Sequence, residues 1–313
     1  MTSGSTRSRI WSWVVLVVVV LVAAYFVQRN ASVIADTYAA MGWQTVLGAG
    51  LLGLAGTLAI GLVWLTLMLG MDRANLPPFD GLSTFYVAQL GKYVPGAVWP
   101  ILAQVASATR WGYRRASVVT ANLQMMMLLA VTGVLLGVVL LPWVAEFERP
   151  WLAWAVVLVP VLVWLLLPGS AATLLRWLPL PDKWRLDVPV TRRASWAAVW
   201  WSLVTWGLMG AQLWVLLHAA GGRGAGTVAA AMGGAGLAYA VGLVVVFAPA
   251  GAGAREAVLV AVCAPIVGTG AALAVALAAR VLLTLTDVVL ACVGALWRAV
   301  RGGEGSAAAA VEQ

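Results

Sequence analysis

The sequence predicts an all-α, polytopic membrane protein of about six transmembrane helices with two re-entrant helical hairpins. Three observations predict it. The 313-residue chain is 63% hydrophobic and only 10% charged, with a mean hydropathy of +0.97, far outside the usage of soluble domains. Its apolar residues gather into runs long enough to cross a bilayer. Two of those runs are broken inside by Pro, Gly and charge, which hydrocarbon tolerates only where protein or a polar cavity satisfies the freed groups.

Uninterrupted spans read at residues 10–28, 45–70, 116–141, 151–167, 194–218 and 269–297. Arg7 and Arg9 precede the first, in the manner of a signal peptide, but its apolar stretch is longer than a usual h-region and further spans follow, so an uncleaved helix is expected. Residues 1–301 form a single membrane domain, and residues 302–313, rich in Ala and Gly, form a short flexible C-terminal tail. Trp11, Trp13, Trp43, Trp143, Trp151 and Trp297 fall near span ends, as interfacial anchors do. Gly133 with Gly137, and Ala49 with Gly53, are small-residue pairs that mark close helix packing inside a bundle.

Two apolar segments, 81–109 and 227–268, do not read as simple spans because each holds a break. The first break is Gly91-Lys92-Tyr93-Val94-Pro95-Gly96, and the second runs from Pro249 through Gly251, Gly253 and Arg255 to Glu256. Treated as re-entrant hairpins, they leave six crossings with both termini on one face. Lys and Arg then divide thirteen on the inner segments against three on the outer ones, Arg29, Arg149 and Arg223. That asymmetry predicts both termini in the cytoplasm, and the preference for Arg over Lys, 17 to 2, with abundant Ala, Gly and Val, points to a bacterial chain and so to the inner, or plasma, membrane. Lys92, Arg255 and Arg280 remain, with no loop to occupy. The first hairpin dips from the inner side and the second from the outer side, each ahead of a long span, an arrangement that resembles the inverted repeat of many transporters.

The same residues carry a family likeness. Gly91-Lys92-Tyr93-Val94-Pro95-Gly96, followed by Arg110 and Gly112 and later by Pro249 to Glu256, resembles the motifs of the lysylphosphatidylglycerol synthase transmembrane family, or flippase-like domain. The resemblance spans nearly the whole chain and implies a lipid-translocating domain related to one that flips aminoacylated phosphatidylglycerol. It marks Lys92, Pro95, Gly96, Arg110, Gly251, Gly253, Arg255 and Glu256. Where members often carry an acidic residue after the first motif, this sequence has Gln124. The cytosolic aminoacyl-transferase domain of the full synthases is also missing, so lipid synthesis is not expected.

Elementary electrostatics leads to the same residues. Helices restarting after Pro95-Gly96 and near Gly253 would aim their free N–H groups at the membrane interior, where Lys92, Arg255 and Arg280 also lie. An anion is the natural ligand, and in a bilayer that anion is a phosphate. Arg280, Thr284 and Asp287 follow one another at helical spacing and share a face of the last span. Asp287 and Glu256 either neutralise buried cations, as Arg280 with Asp287 or Arg255 with Glu256, or help to release and select the headgroup. Gln89, Gln104, Asn122, Gln124 and Gln212 line a polar pathway or bond between helices. His218 reads as an interfacial residue.

The expected function is a lipid flippase or scramblase for an anionic phospholipid or a polyprenyl-linked sugar, without cofactor or metal. Two alternatives belong to other classes. A membrane-embedded glycosyl- or acyl-transferase could use Glu256 or Asp287 as general base, although the chain has no DxD, HxxxxD or HExxH motif and no Ser/His/Asp order. A non-catalytic partner of lipid-synthesising enzymes would rely instead on the basic, Trp- and Pro-containing strip at residues 174–193. Neither a basic run with interleaved aromatics nor a cysteine framework is present, so nucleic acid and disulfide or CxxC metal chemistry are not expected from Cys263 and Cys292.

Overall fold

A computed structural model describes residues 28–29, 31–71, 76–94, 98–108, 113–144, 152–166, 190–245 and 248–311. The predicted first span, Pro95, Gly96, Arg110 and residues 174–189 of the basic strip lie outside the described residues. Ten helices follow in order: α1 (Ala31–Ala40), α2 (Trp43–Met71), α3 (Pro78–Gln89), α4 (Trp99–Ala108), α5 (Arg115–Leu140), α6 (Leu152–Leu166), α7 (Arg192–Ala219), α8 (Gly224–Val244), α9 (Ala254–Val267) and α10 (Thr269–Val311). Among the described residues there is no strand.

Among the described residues, five segments are long and apolar enough to cross a membrane: Trp43–Met71, Arg115–Trp143, Arg192–Ala219, Gly224–Val244 and Thr269–Val300. Leu51, Leu58 and Leu69 on α2 and Val281, Val288 and Val293 on α10 are exposed, so these helices present apolar side chains outward as well as inward. Water would not support such a surface; hydrocarbon does. The protein is thus an all-α, multi-pass membrane protein. Its helices satisfy their own polar side chains in the usual intramembrane way. Thr57, Thr132, Ser202 and Thr205 each donate to a carbonyl four residues back, while the Trp206 indole donates to Thr132 Oγ1 at 2.9 Å and so ties α7 to α5.

Helix directions follow from specific contacts. Thr191 N donates to Gly70 O at 3.0 Å, and Gly53 and Gly56 face Gln212 and Met209, so α2 and α7 are antiparallel. Gly133 lies on Gly236 and Gly137 on Gly233, which sets α5 antiparallel to α8 and spends the small-residue pair within the bundle. A Cβ on Gly133 would stand 2.7 Å from the Gly236 oxygen. Thr57 meets Thr286 while Gly50 meets Leu282, so α2 and α10 run the same way.

Two helical hairpins enter this frame from opposite ends. Gly294 lies on Ser83, and the Trp297 indole donates to Asp80 Oδ1 at 2.7 Å, so α3 climbs α10 from the end where α2 finishes. α4 turns back, and Gln104 accepts from Asn122 across to α5. Its 12- and 10-residue arms are too short to cross. At the other end, Arg255 packs over Gly242 and Val262 over Gly234, so α9 folds back on α8, and Gly268 alone separates α9 from α10.

The structure adds three details to the sequence reading. The first arm of the second hairpin, α8, is 21 residues and by length could cross. Its register on α5 instead brings Val244 level with residue 126, about 16 Å short of the far end of α5 at 1.5 Å per residue, before the chain turns back. Residues 31–40 form a helix that went unforeseen, tied down by a Tyr38 hydroxyl bond to Ala274 O at 3.0 Å. Residues 302–311 continue α10 as helix, where the Ala307–Ala310 run favours it over the preceding glycines.

Candidate functional site

The two hairpin tips meet near the middle of the bundle. At the first, α3 tightens into a 3-10 turn at Leu90–Tyr93 and α4 restarts at Trp99. Gly91 is required for that closure, since a Cβ there would stand 3.0 Å from Pro100 N and from Trp99 Cβ. At the second, a 3-10 turn at Pro249–Gly251 precedes α9. Here the backbone enters the left-handed region three times, at Ala250 (φ 50°), Gly251 (φ 69°) and Gly253 (φ 83°). Only glycine takes that conformation cheaply, and at Gly251 a Cβ would also stand 2.8 Å from Gly242 Cα.

Between the tips lies a cavity of about 230 Å³. Of the predicted site residues it brings together Lys92, Gly251, Arg255, Glu256, Arg280 and Asp287. Gly253 adjoins it as the N-cap of α9 and is not part of the wall. Gln89, Asn122 and Gln212 from the predicted polar set also line it, whereas Gln104 and Gln124 do not.

The ion pairs are crossed relative to the pairing that sequence spacing suggests. Asp287 Oδ2 takes Lys92 Nζ at 2.7 Å and the Tyr93 hydroxyl at 2.6 Å, so α10 grips the first tip through a single oxygen. Glu256 Oε2 accepts the Gly253 N–H at 2.6 Å, closing the start of α9, and its other oxygen faces Arg280 Nε at 3.6 Å. Arg280 also donates to Ala250 O at 3.0 Å, holding the left-handed residue of the second tip. One face of α10 therefore fastens both tips.

Arg255 stands apart from this network. Its guanidinium lies over the Tyr239 ring at 4.9 Å, and its buried Nε has no hydrogen-bond acceptor among the described residues. Gln212, 2% exposed, likewise keeps its Nε2 without a partner among them. Both unfilled groups are donors. The lining carboxylates, by contrast, are both engaged, and three cations face two anions. Each tip joins a helix C-terminus to a helix N-terminus, so their dipoles partly offset and side-chain charge sets the sign of the field. The cavity wall therefore carries an excess of positive charge and of hydrogen-bond donors.

Sequence reasoning missed the aromatic wall of Tyr93, Trp206 and Tyr239. Tyr93 was visible inside the first motif, but Tyr239 sits in an apolar helix without any local signal and is selected by the fold.

The family described as lysylphosphatidylglycerol synthase TM region matches residues 10–291, which is most of the chain. The chain belongs to this family. No curated protein and no solved structure matches it. Of the positions that the lysylphosphatidylglycerol synthase TM resemblance marked, Lys92, Gly251, Arg255 and Glu256 line the central cavity, and Pro95, Gly96 and Arg110 lie outside the described residues. Membership relates the protein to a family named for the membrane region of a phospholipid-modifying enzyme.

Proposed function

We propose that the protein moves the anionic headgroup of a phospholipid or lipid-linked sugar between leaflets, as a flippase or scramblase of the bacterial plasma membrane. The observation that carries this reading is Arg255, a cation without a carboxylate partner among the described residues, in a cavity bounded by two hairpin tips that enter from opposite ends of the bundle. A phosphate accepts hydrogen bonds on several oxygens, and guanidinium suits it well. The Tyr239 face keeps Arg255 in place when the cavity is empty. Lys92 is one-third exposed and offers a second contact once its bond to Asp287 loosens.

In this reading the acyl chains stay in the bilayer while the headgroup passes between the tips. Because α10 fastens both tips, a phosphate that competes with Asp287 for Lys92 weakens the hold on the first hairpin, and one that competes for Arg280 weakens the hold on the second. Opposite ends thus open in turn. Sidedness follows the basic residues, with both termini cytoplasmic.

Reconstitution into liposomes tests the proposal. Wild-type protein should equilibrate a fluorescent anionic phospholipid between leaflets, and Lys92→Ala and Arg255→Gln should each slow it about tenfold or more, the worth of a charge-assisted contact. Both variants moving lipid as fast as wild type would sink the assignment. Labelling of a cysteine at position 298 from outside intact cells would overturn the orientation.

A further inference from the structure

A second cavity, of about 460 Å³, lies on the flank of the first hairpin, away from the paired charges. It is a groove between the hairpin arms. Thr84, Ala88 and Gly91 of the first arm recur at helical spacing along one wall, and Trp99, Ala103 and Ser107 of the second recur every four residues along the other. Gly91 floors its inner end, beside Val94 and Trp99, which are exposed as lipid-facing residues are. From Thr84 to Gly91 it runs about 10 Å at helical rise.

The outer end differs from the rest. Arg298 of α10 closes it, one turn beyond Gly294, where α10 crosses α3 at Ser83. Its Nε is buried and has no hydrogen-bond acceptor among the described residues. On the facing helix, Asp80 Oδ1 accepts from the Trp297 indole at 2.7 Å. Arg114 and Arg115, at the start of α5, are exposed at the same end of the bundle. An apolar slot of this length, closed by a guanidinium whose buried Nε has no acceptor among the described residues, in a cation-rich rim, has the polarity of a phospholipid: chain inside, phosphate at the mouth.

We propose that this groove holds one acyl chain of an anionic glycerophospholipid, with its phosphate on Arg298, as a lateral site separate from the central cavity. The occupied groove lies against the back of the tip that carries Lys92, since Gly91 and Val94 flank Lys92 and Tyr93. A lipid seated there braces the first hairpin from the bilayer side.

Photocrosslinking in phosphatidylcholine nanodiscs tests the site, using phosphatidylglycerol or phosphatidylcholine with a diazirine on the acyl chain. Phosphatidylglycerol should label residues 84–107 in preference to phosphatidylcholine. Ala103→Trp, which fills the groove from an exposed position, should reduce that label about tenfold. Arg298→Gln should abolish the preference for phosphatidylglycerol, and Arg298→Lys should keep most of it, with unchanged melting temperatures as the control for folding. Equal labelling by the two lipids in wild type, or a label indifferent to Ala103→Trp, overturns the proposal. So does a cysteine at position 103 that crosslinks to another segment of the protein instead of to lipid.

Discussion

Lys92 Nζ and Asp287 Oδ2 lie 2.7 Å apart, joining the first hairpin tip to a helix near the other end of the chain. The partners are unequal, since the Lys92 side chain is 33% exposed, toward the cavity, and Asp287 only 5%. Loss of the lysine therefore leaves a buried carboxylate with the neutral Tyr93 hydroxyl in place of a counter-charge, while loss of the carboxylate leaves the less buried ammonium. Lys92→Met should destabilise the protein by about 2–3 kcal/mol, and Asp287→Asn by less. The double variant should recover at least about 1 kcal/mol of the sum, because the two sites share one contact. Thermal unfolding in detergent measures the cycle, and strict additivity would contradict the pairing.

The second tip makes a backbone prediction. Ala250 carries a Cβ at φ 50°, a conformation that costs an L-residue about 1–2 kcal/mol, so Ala250→Gly should leave stability unchanged or raise it by up to about 1 kcal/mol. Gly251→Ala should do the opposite. Its φ is 69° and the new methyl would meet Gly242 at 2.8 Å, so a loss of about 2–3 kcal/mol is expected from strain and overpacking together. Melting temperatures that move the same way in both variants would refute this account of the turn.

Contact between α5 and α8 depends on missing side chains. A Cβ on Gly236 would stand 2.6 Å from Gly133 Cα, backbone that cannot swing aside, so Gly236→Val and Gly133→Val should each cost about 3 kcal/mol or fail to fold. Gly207, also inside a helix, has nothing within 4 Å of such a Cβ. Gly207→Ala should therefore stabilise α7, by up to about 1 kcal/mol from helix propensity alone. Expression level and melting temperature in detergent distinguish the two outcomes.

The sequence by itself determined the solvent of this protein and the location of its anomalies. Composition and run length require a bilayer, and Pro-Gly breaks with charge inside apolar runs have to be sheltered by protein, so two hairpin tips and three buried cations were legible before any coordinates. Family motifs pointed to the same tips. Partnership was decided only by tertiary structure. Helical spacing put Arg280 and Asp287 on one face and invited their pairing, yet α3 climbs α10 in a register that delivers Lys92 to Asp287, and α9 folds back to deliver Glu256 to Arg280. Arg255 is left facing Tyr239 for the same reason. The depth of α8 is a further case: the break marked 227–268 as something other than a simple span, and only packing on α5 fixes where its 21-residue first arm ends. Local pattern sets what each segment can bury; which buried charge meets which is set by the register between helices far apart in the chain, and no local pattern encodes that.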